Sequence, residues 1–470
     1  MTRAVVVGSG PNGLAAAVTL AKAGVDVEVL EAADRPGGGT RSSELTLPGL
    51  IHDECSAFHP LAVDTPFSRS VELARFGLTW RWPEVQYAHP LDGGRGAVVR
   101  RSVEETAASL GRDGRRWQRV FGPLTERFDQ ITADFLRPVV RVPSHPVAMT
   151  RFGALSAAPA SLLARVWSTD EARALFGGVA AHALRPMSAP FSAAIGVALG
   201  TAAHAYGWPV AEGGSAAISR AMIAALEEYG GKVETNVRIE SLEQLGDADL
   251  VLLDVAPRAA VRIVGEALPS RVRRALLRYR HGPGLFKVDF ALSGDVPWTY
   301  EATRRAGTVH VIGDYAELAR AEHQVVSGRM PDRPYLLVGQ QYLADPSRAE
   351  GDLRPLYAYA HVPAGFGGDA TLLIESQIER FAPGFRDLIV ARCVQTTGQL
   401  EEHNANYIGG DVTTGANTAR QLIFRPRVTL NPYGLGVPGV FLCSAATPPG
   451  AGAHGMCGYN AAQAALASLS

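Results

Sequence analysis

Apolar stretches and helix-like patterns alternate at the beginning of the chain. A Val-rich run over Ala4–Val7 is followed by glycines, a helical pattern rich in Ala and Leu over Leu14–Ala23, and a second apolar run over Val25–Leu30. This order of strand, tight turn, helix and strand predicts a βαβ unit.

The pattern changes in the middle of the chain. Residues 71–208 are predicted to be mostly helical, with one helix over Trp117–Phe135, and a further helix is predicted over residues 214–228. After this helix, apolar runs predict two strands, Val233–Val237 and Leu250–Val255. Later runs predict three strands of a second sheet, Phe286–Leu292, Tyr335–Gln341 and Leu356–His361. The C-terminal part is predicted as a strand, a glycine-rich loop and a helix: Val440–Ser444, Ala446–Gly455 and Asn460–Leu466.

Composition limits the classes of protein. The chain has 470 residues, 47% of them hydrophobic, so we expect two or three structural units with real cores. The formal net charge of -1, without a charged tail, points to neither nucleic acid nor an anionic membrane. The four cysteines form no CxxC pair, which indicates neither a redox disulfide nor a metal site. A strand begins almost at once, so we expect no signal peptide and a cytoplasmic enzyme.

One long uncharged stretch runs over residues 186–211. Pro190 and Pro209 interrupt it, and it is rich in Ala, Gly and Ser rather than Leu or Ile. We therefore predict a buried helix and loop rather than a transmembrane span, while peripheral membrane contact is left open.

The turn after the first strand carries a dinucleotide fingerprint. In G-x-G-x-x-G, the first glycine allows the tight turn, the second lets a pyrophosphate approach the backbone, and the third lets helix pack on strand. Glu31 ends the second strand, where an acid accepts hydrogen bonds from a ribose and disfavours the extra phosphate of NADP. The residues of the fingerprint are Gly8, Ser9, Gly10, Pro11, Asn12 and Gly13.

A second glycine turn soon after Glu31 favours FAD over NAD, because the backbone can follow a cofactor that continues past the pyrophosphate. The residues assigned to this part of the site are Ala32, Arg35, Gly38, Gly39, Thr40 and Arg41. A further G-x-G-x-x-G match, Gly450–Gly455, precedes the last helix, and no strand follows to supply a ribose acid. It is therefore expected to complete the FAD site, with its helix N-terminus aimed at the pyrimidine edge of the flavin.

With these motifs, the chain resembles the phytoene desaturase and flavin amine oxidase superfamily. It looks closest to the branch that contains pyridine nucleotide-disulfide oxidoreductase domain-containing protein 2. The resemblance rests on the stretches Val5–Thr40, Gly207–Val210 with Gly213–Ser215, and Val440–Met456. It implies that the backbone of Val237 meets the adenine, and that a second FAD motif includes Ser444, Ala445, Gly452, His454, Gly455 and Met456.

The resemblance also implies an α/β fold in which a Rossmann-type FAD-binding domain is interleaved with a mixed-sheet substrate domain capped by helices. The expected FAD-binding segments are residues 1–75, 209–265 and 433–470. The expected substrate domain has a helical part, residues 76–208, and a sheet part, residues 266–432.

Three residues are candidates for catalysis. Lys287 lies in a segment similar to one in which a lysine of the amine oxidases holds a water near flavin N5. The alternatives are that Lys287 faces solvent on an alternating strand, or pairs with Asp289. His59 falls in a loop that the resemblance puts near the flavin, and His310 is a further pocket candidate, although a lone histidine is more often structural.

The resulting functional hypothesis is an oxidoreductase with non-covalent FAD, since residues 409–413 lack the cysteine that covalent amine oxidases carry there. A hydride would pass from a C–H bond of a largely hydrophobic small molecule to flavin N5, and oxygen or a quinone would reoxidise the flavin. A redox-neutral flavin isomerase and a non-catalytic FAD-binding partner protein stay open. An NADPH-dependent disulfide reductase is disfavoured, because a second Rossmann unit and a cysteine pair are missing. Substrate identity and oligomeric state are not predicted.

Overall fold

The computed structural model describes residues 2–469. The strands β1 to β16 span, in chain order, Arg3–Val7, Asp26–Leu30, Ser42–Ser43, His52–Asp53, Trp80–Arg81, Val85–Leu91, Arg95–Val99, Val210–Ala211, Lys232–Glu234, Leu250–Leu253, Gly284–Leu292, Ala306–Val311, Leu336–Gly339, Arg354–Val362, Ile389–Gln395 and Val440–Leu442. The helices α1 to α17 span Pro11–Lys22, Pro66–Val71, Val103–Ser109, Gly114–Thr125, Phe128–Phe135, Pro146–Ala157, Ala160–Leu163, Asp170–Ala180, Ala193–Ala205, Ala216–Glu228, Pro257–Val264, Ser270–Leu277, Tyr315–Val326, Thr371–Phe381, Thr397–His403, Ala419–Ile423 and Met456–Leu466.

A parallel five-stranded sheet holds the N-terminal motif. Its strand order is β16-β10-β1-β2-β9, so distant parts of the chain meet in one sheet. Ala4 and Val6 of β1 pack in one core with α1, α10 and α17, while Val5 and Val7 pack in another with α11 and α12. Burial on both faces explains the unbroken valine run, and the predicted Rossmann-type α/β fold is confirmed.

A mixed seven-stranded sheet forms the second unit, in the order β15-β11-β14-β13-β12-β6-β7. Strands β6 and β12 pair in parallel, and the other neighbours pair antiparallel. Phe286, Val288 and Phe290 of β11 pack with α14 on one face. Lys287 and Asp289 alternate with them and point to the other face, where Asp289 Oδ1 lies 3.4 Å from His52 Nδ1. The alternation in β11 therefore separates two buried faces.

Helices α3 to α9 cover the second unit with an aromatic core, in which the Trp117 ring packs on Phe121 and Trp167. The uncharged stretch of residues 186–211 lies largely inside this core and contains α9, as predicted. Within residues 2–469, no single helix is long and apolar enough to cross a membrane, and only the bent pair of helical segments Pro146–Ala157 and Ala160–Val166, taken together, has the required length and composition.

Two parts of the secondary-structure prediction were wrong. The mostly helical prediction for residues 71–208 fails at β6 and β7, which form a hairpin within the second sheet. Every residue of β6 is buried, so the strand lacks the polar alternation that would have marked it. The single helix predicted over Trp117–Phe135 is broken between α4 and α5, just after Pro123 in the last turn of α4.

Candidate functional site

A cavity of about 510 Å³ is lined by residues of both sheets. This volume lies within the range of small-molecule and cofactor sites, which is about 300–1,000 Å³. One end contains the glycine loop between β1 and α1, and the other contains aromatic side chains of the seven-stranded sheet. A single ligand can therefore touch both units.

The glycine loop is shaped for a diphosphate. Gly8, Gly10, Pro11 and Asn12 line the cavity, and Gly8 has a φ of 99°, which favours glycine. A Cβ on Gly10 would come within 2.6 Å of an Asp254 oxygen, and a Cβ on Gly13 would overlap the backbone oxygen of Gly8. Gly10, the N-cap of α1, supplies no side-chain cap, and Asp254 accepts from the N–H of Gly13, so α1 presents mainly the positive end of its dipole to the cavity. These residues fit the pyrophosphate of a dinucleotide.

Glu31 joins the end of β2 to this loop. Its Oε2 accepts hydrogen bonds from Ser9 N at 2.9 Å and Ser9 Oγ at 2.6 Å, and its Oε1 accepts one from Ala33 N at 2.9 Å. Val237 N donates to the Glu31 backbone oxygen at 2.8 Å, which brings Val237 to the same end of the cavity. Glu31, Ala32 and Val237 all line it, whereas Ser9 supports the loop from behind.

The second glycine turn folds against the first. Gly37 N donates to Ser9 O at 3.1 Å, and the turn lines the cavity with Gly38, Gly39, Thr40 and Arg41. Arg35 lies apart from this lining, because its guanidinium is half exposed and pairs with Glu54 at 3.0 Å.

The C-terminal motif divides into two parts. Ser444, Ala445 and Gly452 line the cavity. His454 lies behind its wall, where its Nδ1 accepts a hydrogen bond from Met456 N at 3.1 Å and burial lowers its pKa to about 4. Gly455 and Met456 are also buried behind the wall, where they pack α17 against α1. The N-terminus of α17 is therefore partly satisfied by the protein itself.

Sequence reasoning missed several parts of the lining, of which two lie beside the glycine loops. Asp254, just after β10, accepts a hydrogen bond from Gly13 N at 2.9 Å, and burial raises its pKa to about 7. The segment 402–407, from the second unit, crosses the cavity beside the glycine loops. Its Asn406 accepts from Ala256 N at 2.7 Å and donates to Asp254 O at 3.2 Å. No local motif marks either part, because each is brought to the loop by long-range folding.

The far end of the cavity is an aromatic chamber. Tyr357 OH donates to Cys55 O at 2.6 Å, and Trp208 Nε1 donates to Thr308 Oγ1 at 2.9 Å, so both large side chains are fixed. Carbon-rich walls with a few oriented polar groups suit a largely apolar substrate. The chamber is lined by Phe58, His182, Leu199, Trp208, Leu285, Thr308, Leu337, Tyr357 and Tyr359.

Lys287 lies beneath the chamber rather than in its lining. Its ammonium pairs with Asp289 and lies 4.6 Å from the centroid of the Tyr357 ring. The side chain is only 2% exposed, which excludes the alternative in which it faces solvent. Pairing with Asp289, the other alternative, is what the structure contains, and a catalytic role for Lys287 stays a prediction.

The two candidate histidines also lie outside the lining. His59 Nε2 shares a hydrogen bond with Ser215 Oγ at 2.9 Å, and burial lowers the pKa of His59 to about 4. His310 Nε2 lies 3.0 Å from His182 Nε2, and His182 is the member of this pair that reaches the cavity. Sequence offered no signal for His182, which lies in a short 3-10 helix, Ala181–Ala183, between α8 and α9.

Comparisons with known proteins agree with this geometry. A family model described as an NAD(P)-binding Rossmann-like domain matches residues 6–68. A phytoene dehydrogenase of Streptomyces griseus is 27% identical over 430 residues, which cover 82% of this chain and 77% of that protein. Pyridine nucleotide-disulfide oxidoreductase domain-containing protein 2 of Mus musculus is 37% identical over 93 residues, or 20% of this chain and 16% of its own length.

Two solved oxidases share the fold along nearly their whole length. A putrescine oxidase bound to putrescine has a TM-score of 0.61 and 20% identity, covering 99% of each chain. Cyclohexylamine oxidase from Brevibacterium oxydans has a TM-score of 0.58 and 17% identity, covering 100% of this chain and 98% of its own. At this identity the likeness concerns the fold.

Proposed function

We propose that the chain is a member of the phytoene desaturase and flavin amine oxidase superfamily, and an oxidoreductase that binds FAD non-covalently and oxidises a largely hydrophobic small molecule. One observation carries the proposal: a single cavity joins the glycine loop of the Rossmann-type sheet to the aromatic chamber of the second sheet. Bound FAD would supply the acceptor for a hydride from a substrate C–H bond, with reoxidation by oxygen or a quinone.

The protein's own residues would hold and orient the two ligands. Gly8 to Asn12 and the N-terminus of α1 would bind the pyrophosphate, and Glu31 would accept a hydrogen bond from a ribose hydroxyl. The rings of Tyr357 and Tyr359, whose centroids are 5.8 Å apart at an interplanar angle of 81°, would exclude water from the substrate.

His182 would hold a polar group of the substrate by a hydrogen bond. Burial lowers the pKa of His182 to about 3, so the imidazole is neutral near pH 7. Its Nε2 is held by His310 at 3.0 Å, while its Nδ1 has no hydrogen-bond partner within residues 2–469. A neutral ring with one free nitrogen beside an apolar chamber is suited to a hydrogen bond with the substrate, whereas so low a pKa makes it a weak proton acceptor.

The first experiment is an absorbance spectrum of the purified protein, followed by heat precipitation. A two-peaked flavin spectrum, with FAD released to the supernatant, is expected. Anaerobic bleaching by apolar amines or polyenes would then identify substrates. A colourless protein that does not take up added FAD would overturn the proposal.

Replacing Glu31 with alanine is expected to weaken FAD binding about 10- to 100-fold, because the loop would lose the carboxylate that holds Ser9. Quenching of flavin fluorescence in a titration measures the change. Glu28→Ala is the matched control, since Glu28 lies on the same strand but pairs with Arg3 and Lys232. Equal affinities for the two variants would contradict the assignment of Glu31.

Replacing His182 with alanine is expected to lower kcat about 10-fold with any substrate that bleaches the flavin, because the substrate would lose the hydrogen bond that orients it. FAD binding should not change. Steady-state kinetics measures the effect, with His323→Ala as a control at an exposed histidine on α13. An unchanged kcat would remove His182 from the mechanism.

A further inference from the structure

Asp254 places a buried carboxyl group directly under the glycine loop. A Cβ on Gly10 would lie 2.6 Å from Asp254 Oδ2, and a Cβ on Gly8 would lie 3.3 Å from Asp254 Cβ. Asp254 is among the residues that line the cavity, and its Oδ2 accepts one hydrogen bond, from Gly13 N at 2.9 Å. Within residues 2–469, Asp254 forms no ion pair with Lys, Arg or His.

The surroundings of Asp254 supply no compensating positive charge. On the side of β2 the nearest ionisable group is Glu31, whose negative charge opposes ionisation of Asp254. On the sides of β16 and α17 are Cys443 and Cys457, and burial raises both thiol pKa values. The segment 402–407 contributes the neutral amide of Asn406 to the Asp254 backbone. The other charged side chains that line the cavity are Arg41, Arg238, Arg262, Glu402 and His403. The remaining titratable side chains of the lining are Cys55, His182, Tyr357, Tyr359 and Tyr407.

We propose that Asp254 takes up a proton when FAD binds, so that the affinity for FAD falls as the pH rises. The inference rests on the proposed function. The pyrophosphate keeps both negative charges over the neutral range, and it would lie on the glycine loop that covers the carboxyl group. A charged Asp254 at this position would repel the pyrophosphate in a buried site, whereas a protonated one would not.

The direction of the pH dependence follows from linkage. Burial, with a smaller contribution from Glu31, already raises the pKa of Asp254 to about 7 in the cofactor-free protein, and the bound pyrophosphate would raise it further. The dissociation constant for FAD should therefore be constant at acid pH. It should increase by up to about tenfold per pH unit above the cofactor-free pKa, until the pKa of the complex is reached.

The test is a series of FAD titrations of the full chain, freed of cofactor, between about pH 5.5 and about pH 9. Asp254→Asn is the matched variant, because an amide oxygen can still accept from Gly13 N while the charge is removed. We expect a pH-dependent dissociation constant for the wild type and a nearly constant one for Asp254→Asn. Adenosine, which lacks the pyrophosphate, should bind each protein without this pH dependence.

A second measurement does not depend on the variant's folding. Calorimetry of FAD binding to the wild type near pH 8, in two buffers with different ionisation enthalpies, should detect net proton uptake. No proton uptake, or a pH dependence that persists in Asp254→Asn, would overturn the inference and point to His403 or another group. Failure of the wild type to bind FAD at any pH would instead overturn the proposed function.

Discussion

Replacing Gly458 with alanine is expected to lower the free energy of unfolding by about 3 kcal/mol. Gly458 lies in the first turn of α17, where that helix crosses α1 at close range. A Cβ on Gly458 would overlap the backbone oxygen of Asn12 and lie 2.9 Å from Ala16 N. Since both obstacles are backbone atoms of a helix, rotation of a side chain cannot relieve them. Chemical denaturation followed by circular dichroism measures the loss.

The same substitution should also weaken FAD binding, because Asn12 belongs to the glycine loop at the start of α1. Gly153→Ala in α6 is the control, as a Cβ there would meet open space. That variant should be neutral or more stable by about 0.5–1 kcal/mol, the ordinary helix preference of alanine over glycine. A Gly458→Ala protein as stable as Gly153→Ala would show that α1 and α17 are not in close contact.

The parts of the site that the sequence predicted are those made by neighbouring residues. The glycine loop needs a strand before it and a helix after it, and the acid Glu31 falls at the end of the next strand. All three follow from the order of apolar runs within one βαβ unit. The resemblance to a known family added Val237, Ser444 and Gly452, which also line the cavity.

The parts that were missed depend on long-range pairing. Asp254 directly follows β10, which joins the sheet beside β1 after more than half of the chain has passed. The alternation around Lys287 correctly predicted a strand. It could not show whether the face that carries Lys287 is exposed to solvent or buried, because a strand has the same period of two in both cases. Only the partners of β11 on both sides decide between them.

One buried cation holds the interleaved segments together. Arg348 is fully buried and donates to Asp53 Oδ2 at 2.5 Å, Asp345 Oδ2 at 3.1 Å and Ala211 O at 2.8 Å. Asp53 in turn accepts from Ser215 N at 2.7 Å. Burial opposes ionisation of Asp53, yet the Arg348 charge and the Ser215 N–H hold its pKa below the usual value. The network joins the N-terminal, middle and sheet segments of the chain.

Replacing Arg348 with methionine is expected to cost about 3–5 kcal/mol of stability, because two carboxylates would stay buried without their cation. Chemical denaturation measures the change. Arg81→Met is the control, since the Arg81 side chain is 51% exposed in its ion pair with Glu212, and exposed pairs contribute about 0–1 kcal/mol. Equal losses in the two variants would contradict the role of Arg348.

Lowering the pH should reduce the difference in the free energy of unfolding between the wild type and Arg348→Met. In the wild type the pKa of Asp53 is lowered by folding, so its stabilisation is present above the ordinary carboxyl pKa of about 4 and is lost as the pH falls through the folded pKa. In Arg348→Met, burial without the cation raises the pKa of Asp53. As the pH falls, Asp53 is therefore protonated earlier in the variant than in the wild type, and the variant loses its destabilising buried charge. The double variant Arg348→Met with Asp53→Asn should accordingly be more stable than Arg348→Met alone at neutral pH, since it removes one orphaned charge and keeps an acceptor for Ser215 N.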